Sequence, residues 1–427
     1  MIDTALAARE KQGNPVRVAM VGAGFAGRMI AFHLVAVPGI RLVAIVNRTP
    51  EHAVEAFRDA GVTRTTPAAD GAALDAAVGR GECVVSRDHR AVCDAKCIDA
   101  VIEVTGTVEY GARVVLDAIA GHKHVVLVNA ELDATLGPVL KSYADRAGVV
   151  LTDTDGDEPG VAMTLLRYLR SIGLRPVAAG NLKGLLDVRR TPATQKEFAQ
   201  KTGQDPMKVT SFADGTKLSM EAAVLANAAG FGVGRRGMFG PQAHHVREMA
   251  HLLPAAAMLS GGGIVDYALG AEPHTGAFVV VHESDPHKVE RLRYFKMGDG
   301  PFFVFYTPFH LPQVQVASTV ARAVLFADAT VAPLGAPRCE VITLAKRDLP
   351  EGTRIDGLGG YDVYGTIENA PAASGGRLLP AGVAEGCTLM RDVARDHPVT
   401  YDDVALPGNR LCDRLRGEQE LLERDRR

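Results

Sequence analysis

The sequence predicts an α/β protein with three parts: a doubly wound parallel sheet, a central α+β domain and a small β-rich domain at the end. Three observations carry this. Residues 16–49 read as strand, glycine turn, helix, strand, with Gly22, Gly24 and Gly27 at the G-x-G-x-x-G spacing. Apolar runs of strand length then alternate with helical stretches as far as Asp153. Beyond Pro337 the texture changes to short apolar runs broken by Pro-Gly turns.

In the first unit, residues 18–22 form the buried strand and 28–35 the helical run, and after the Pro38-Gly39 break residues 42–46 form the second strand. Each glycine has its own task. Gly22 makes the turn, Gly24 lets a pyrophosphate approach the backbone, and Gly27 lets the helix lie close to the strand. Free amides at the helix start, Phe25 and Ala26 among them, face the anion, which the helix dipole also favours. This is the Rossmann arrangement of a dinucleotide site. The end of the second strand bears on which nucleotide. Asn47, Arg48 and Thr49 stand where an NAD site carries an acid for the ribose 2′-hydroxyl. No carboxylate repels a 2′-phosphate and a guanidinium suits it, so NADP is expected, with NAD the second choice. The alternative for Arg48 is an ordinary solvated arginine.

Composition sets the bounds. The 427 residues are 47% hydrophobic and 23% charged, which fits two or three globular domains. A net charge of −3 without a basic block argues against nucleic acid as a partner, and the chain lacks an apolar run long enough for a membrane span. The polar opening, lacking a signal-peptide apolar middle, points to the cytoplasm. Six scattered cysteines are too few for a disulfide framework. Cys93 and Cys97 match half a metal site or, more simply, free thiols.

Taken in order, residues 1–14 form a leading helix or arm, and residues 15–153 the nucleotide domain. Residues 50–61 are helical and 63–81 an Ala-rich connection with further helix. Residues 98–104 are a strand ending in Thr105 and Gly106, a loop that would border the nicotinamide crevice. Helix 108–120 stops at Gly121. Strand 124–128 leads directly into Asn129, Glu131 and Asp133, then helix 137–147 and strand 149–152. The run DTDGDEPG places Asp153, Asp155, Asp157 and Glu158 within six positions. Such crowding fits a functional site that a cation or amides stabilise, or a solvated acidic turn before a helix starting at Pro159. Lys183, in a glycine-flanked loop after strand 176–180, is placed to donate to a substrate oxygen, or is surface. Residues 212–217, FADGTK, form a turn, and 218–229 an apolar helix. The glycine-rich loop 230–237 carries Arg235 and Arg236, suited to an anionic substrate group. HHVREMAH reads as a helix with His245 and Glu248 on one face, but not as a zinc motif. Strands 278–282 and 302–306, helix 314–326 and a linker at 333–337 complete the central part, residues 154–312, and the returning helix, 313–335. The β-rich domain spans 336–408, and the charged tail, 409–427, is a solvated helix or disordered.

Several of these segments together resemble the homoserine-dehydrogenase-like oxidoreductases that carry a C-terminal SAF-type β module. They are VNAELDATLGP, the GDEP of residues 156–159, FADGTK, LANAAG, GMFGP, GIVDYALG, GDGPFFVFYTPFHL, VARAVL and AKRDLPEGTRIDGLGGY. Within that family the chain looks most like the group similar to deoxyxylulose-phosphate reductoisomerases of isoprenoid biosynthesis. The resemblance implies reduction of a carbonyl on a small polyol-derived substrate, such as a branched-chain sugar phosphate, with NADPH and a divalent cation, Mg²⁺ or Mn²⁺. It implies a homodimer or larger homo-oligomer built on the central domain. Matched by motif, Asp157 and Glu158 contact the cation or substrate hydroxyls, and Lys183 donates the proton. The chain departs from the pattern at Phe25-Ala26, where an acid and a methionine are expected, and in the less basic loop 181–184. Homoserine dehydrogenase is the second enzymatic reading, and an NADP-loaded sensor with the β module as its output is the alternative of another class.

Overall fold

A computed structural model describes residues 1–424 of the protein. The chain divides into two compact units. The first comprises Met1–Asp157, Leu311–Ala332 and Arg414–Gln419, and the second Glu158–His310, Pro333–Asp413 and the described residues from Glu420 on.

The first unit is a Rossmann-type layer. Its strands are β1 (Val16–Val21), β2 (Ile40–Val46), β3 (Thr65–Pro67), β4 (Cys83–Ser86), β5 (Ala100–Glu103), β6 (His124–Leu127) and β7 (Leu151–Asp153). They pair in the order β3-β4-β2-β1-β5-β6-β7, every pair parallel. The order reverses between β1 and β5, so a crevice opens at the carboxyl ends of those strands. β3 was not expected. It is a three-residue edge strand ending in Pro67, a position where a missing N–H does no harm.

The leading helix, Ile2–Lys11, is docked on this unit. Leu6 enters the core, and Glu10 accepts the Gly39 N–H at 2.9 Å. Gly39 is required there: its φ is +80° and a Cβ would lie 2.3 Å from the Leu6 carbonyl. Helix Pro312–Phe326 adds Val316, Val320 and Ala321 to the same core.

Two expectations fail at one place. The helix expected from residue 137 begins at Ala130, with Asn129 as its N-cap, and carries Pro138 inside it. Proline removes an N–H and pushes away the carbonyl four residues back, so neighbouring groups need other partners. The tail, expected to be solvated or disordered, supplies them. It forms helix Leu411–Arg424; Gln419 accepts the Val139 N–H at 3.2 Å, and Arg416 donates to the Thr135 carbonyl at 3.1 Å. Leu415, Arg416 and Gln419 are buried. Residues 425–427 of that tail lie outside the described residues.

In the second unit, β8 (Arg175–Lys183), β9 (Ile264–Leu269), β10 (Ala277–His282) and β11 (Phe302–Thr307) form a sheet in the order β11-β10-β8-β9. β8 and β9 are parallel and the other pairs antiparallel. β8 runs three residues further than the sequence indicated, which puts Asn181 and Lys183 on a strand and not in a loop. Helix Thr216–Ala229 is buried from Leu218 to Ala229, as a helix apolar on all sides must be. β12 (Cys339–Ala345) pairs antiparallel with β13 (Val363–Asn369), and β14 (Thr388–Leu389) with β15 (Val404–Ala405). These are the small C-terminal sheets.

The segment HHVREMAH is not one helix. A 3-10 turn, Val246–Glu248, precedes helix Met249–Leu252, with His245 accepting the Arg247 N–H at 3.1 Å. Arg235 and Arg236 are also committed. Arg235 donates to the Met238 and Phe239 carbonyls at 2.8 and 3.1 Å, and Arg236 pairs with Glu368 at 2.7 Å. All six cysteines are free thiols. Among the described residues no helix is long and apolar enough to cross a membrane.

Candidate functional site

The nucleotide cradle is built by backbone. Gly22 follows β1 with φ +115°, and a Cβ there would lie 2.7 Å from the Val104 carbonyl at the exit of β5. Gly27 passes close beneath: its Cβ would lie 2.4 Å from the Gly22 carbonyl. Gly24 differs. A Cβ on it would meet nothing within 4 Å, and it is the N-cap of helix Phe25–Leu34. The helix start has neither a side-chain cap nor an acid in its first turn, so its amides keep their capacity for an anion. Phe25 is half exposed beside them and Ala26 partly covered.

Asn47 follows β2 and turns back to the cradle. Its Oδ1 accepts the Ala23 N–H at 3.3 Å, and its Nδ2 donates to the Thr49 carbonyl at 2.8 Å. Arg48 and Thr49 are exposed, and the Arg48 guanidinium has no ion pair among the described residues. A charged group left unpaired at the carboxyl end of β2 is available to a phosphate.

On the other side of the crevice a buried carboxylate that the sequence reading overlooked organises the loop. Glu103 at the end of β5 accepts from the Thr105 N–H at 2.9 Å and hydroxyl, and from Asn129 Nδ2 at 2.9 Å. Burial pushes its carboxyl above the usual range, while these bonds pull it back. Asn129 is consequently saturated: Nδ2 also reaches the Thr107 carbonyl at 3.0 Å, and Oδ1 accepts the Leu132 N–H at 3.2 Å. Its side chain brackets the loop containing Thr105 and Gly106.

The second unit holds a cluster of ionisable side chains. Glu158 opens helix Glu158–Ser171, and its carboxylate lies 3.6 Å from His310 Nε2; His310 Nδ1 lies 2.8 Å from the Thr275 hydroxyl. Glu221, buried on helix Thr216–Ala229, brings a carboxylate oxygen within 4.8 Å of one from Glu158. Lys217, one turn earlier, pairs with Glu221 at 3.3 Å, and Asn181 donates to its other oxygen at 3.2 Å. Side chains alternate along a strand, so Lys183 shares the Asn181 face of β8. Its ammonium has no partner among the described residues.

Of the expected residues, Glu158 belongs to this cluster, and Lys183 lies at the end of β8 on the face that carries Asn181. Asp157 is buried at the last position of the first unit, directly before Glu158 in the chain. Lys217, Glu221 and His310 were missed. A signal for the first two existed: a Lys and a Glu at i and i+4 interrupt an otherwise apolar helix, where unpaired charge is too costly to be incidental. His310 lies in the quoted GDGPFFVFYTPFHL segment, just after β11, but nothing local there marks it as a partner of Glu158.

A family model described as the catalytic domain of the oxidoreductase DRL matches residues 156–316. No curated protein matches the chain. Among solved structures, levoglucosan dehydrogenase in complex with NADH and levoglucosan is 13% identical over 74% of this chain and 91% of that one, with a TM-score of 0.42. A putative myo-inositol dehydrogenase from Sinorhizobium meliloti is 13% identical over 73% and 90%, with a TM-score of 0.40. A probable dehydrogenase from Thermotoga maritima is 15% identical over 63% and 73%, with a TM-score of 0.39. The glycine cradle on a Rossmann sheet and the match to an oxidoreductase catalytic domain make this chain an NAD(P)-dependent oxidoreductase.

Proposed function

We propose that the protein uses NADPH to reduce a carbonyl on a small polyol-derived substrate, with a branched-chain sugar phosphate as the first candidate. The observation that carries this is the Lys217–Glu221–Asn181 arrangement facing Glu158 and His310, a set of proton-carrying and hydroxyl-binding groups in one place. The preference for the phosphorylated coenzyme rests on the unpaired Arg48.

When bound, the nicotinamide supplies the hydride to the carbonyl carbon. Lys217 holds a proton at Nζ for the oxygen on which negative charge develops, which lowers the barrier electrostatically. Glu221, fixed by Asn181, orients that ammonium. Lys183, from the neighbouring strand, binds the same oxygen or an adjacent hydroxyl, and Glu158 and His310 take further hydroxyls. The divalent cation implied by the resemblance would use Asp157 and Glu158. The carboxylates of Glu158 and Glu221 face one ammonium, Lys217, beside Asn181 and His310, which leaves negative charge that such a cation would meet; no step is routed through it.

The test is NADPH oxidation, followed by absorbance, against 1-deoxy-D-xylulose 5-phosphate, other ketose phosphates, inosose-type ketones and the aldehyde of homoserine, with and without EDTA. Turnover of a sugar or polyol carbonyl is expected. Turnover of the homoserine aldehyde alone would transfer the assignment to homoserine dehydrogenase, and NADPH binding with no turnover of any compound would favour a sensor.

A further inference from the structure

We infer that the C-terminal β module positions the catalytic helix, and that Lys346 is a positioning residue for Lys217 and Glu221, acting through Asp214. This rests on the reading of Lys217 given above.

Helix Thr216–Ala229 starts in an unusual way. Its N-cap is Gly215, in the left-handed region at φ +87°, and no N-cap side chain closes it. Lys217 is the second residue of the helix, so the register of this first turn decides where its ammonium points; one residue of slip rotates it by about 100°. Two groups of the C-terminal module, Lys346 and Gly365, hold that turn, the first through Asp214. Asp214 accepts the Thr216 N–H at 2.9 Å on Oδ1, and its Oδ2 accepts Lys346 Nζ at 2.9 Å. The other two Nζ protons go to the carbonyls of Arg190 and Gly360, at 2.9 and 2.8 Å. Lys346 is 4% and Asp214 0% exposed, and all three donors of the ammonium are used. Gly365, on β13, then donates its N–H to the Thr216 hydroxyl at 2.9 Å. A Cβ on Gly365 would lie 2.9 Å from Val341 and 3.0 Å from Thr216, so only glycine permits that approach.

The far end of the helix is held by the same module. Asn227 Oδ1 accepts the Arg338 and Cys339 N–H groups at 2.7 and 3.0 Å, where β12 begins. The helix carrying Lys217 and Glu221 is thus fixed at both termini by residues more than a hundred positions later in the chain. A buried ion pair is weak evidence for stability, since apolar residues of the same volume do as well; its value lies in specifying one geometry. An ammonium with three directed acceptors tied to the first helical turn is such a device.

The test uses the full chain and the double variant Lys346→Met/Asp214→Asn. It removes both charges, leaves no buried ion alone, and retains an acceptor for the Thr216 N–H. Turnover with NADPH and the best substrate of the panel, and amide exchange by mass spectrometry, are compared with wild type and with Lys217→Met. We expect kcat to fall roughly 10- to 100-fold, the scale of a small misplacement of reacting groups, with the NADPH KM within about twofold. Faster exchange should be confined to residues 212–222 and absent from residues 16–34. Wild-type kcat in the double variant would overturn the proposal. So would faster exchange spread equally over both segments, which would make the pair an anchor of the whole fold. Full turnover by Lys217→Met would instead show that the assignment of that lysine is wrong, a failure that the exchange pattern of the double variant does not share.

Discussion

The two units make their sites from different material. The first offers main-chain amides and three glycines within six consecutive residues, Gly22 to Gly27. The second assembles side chains from separate segments: Glu158, Asn181 with Lys183, Lys217 with Glu221, and His310. A backbone site is intolerant of any added atom but indifferent to most side chains nearby. A side-chain site fails with one changed group, or when the elements that carry its groups shift. The comparison teaches where each kind of damage should appear: in coenzyme binding for the first, in turnover for the second.

The largest effect should come from the second unit. Lys217→Met is expected to lower kcat by about 10²- to 10⁴-fold, the usual contribution of a positioned acid, with NADPH affinity unchanged by calorimetry. Lys183→Ala should also lower turnover while sparing NADPH binding, by a smaller factor. The opposite ranking would make Lys183 the proton donor. Next comes Gly22→Ala. The left-handed φ and the 2.7 Å approach to Val104 should cost about 1–3 kcal/mol in melting experiments and abolish NADPH binding. Unimpaired binding would mean that the cradle is looser than its geometry indicates.

A smaller effect sharpens the coenzyme assignment. Arg48→Ala should weaken NADPH about tenfold, the loss of one charge-assisted contact of roughly 1.5 kcal/mol, and leave NADH untouched. Equal loss for both coenzymes would remove the argument for NADP. The smallest is a matter of stability. Burial pushes the Asp133 carboxyl up to about 7 from 3.8. A raised carboxyl titration means that the folded state binds the proton more tightly, so the stability this group contributes is fully present below pH 3.8 and is lost as pH rises through about 7. Asp133→Asn should therefore raise the melting temperature more at pH 8 than at pH 4. The gain is limited to about 1 kcal/mol because the amide must still be buried.

Legibility followed the same division. The glycine spacing, the strands flanking it and the absence of an acid at residues 47–49 are local patterns, and all are present in the fold as read. Local patterns misled where a distant segment supplies what proline removes. The helix was read only from residue 137, next to Pro138, but Gln419 and Arg416 let that proline sit mid-helix. The polar composition of the tail hid the same contact. β8 was cut short because Asn181 and Lys183 look like loop residues; pairing with β9 and β10 keeps them extended.

The sequence by itself determined the α/β class and the glycine turn of the nucleotide cradle, because turns, helix starts and strand periodicity depend on residues a few positions apart. Tertiary structure alone decided that Asn181 and the Lys217–Glu221 pair share one cluster, that Glu103 and Asn129 close the crevice loop, and that Lys346 reaches Asp214. The last two contacts join positions 26 and 132 residues apart, and their energies depend on burial and direction, which exist only once the chain has packed.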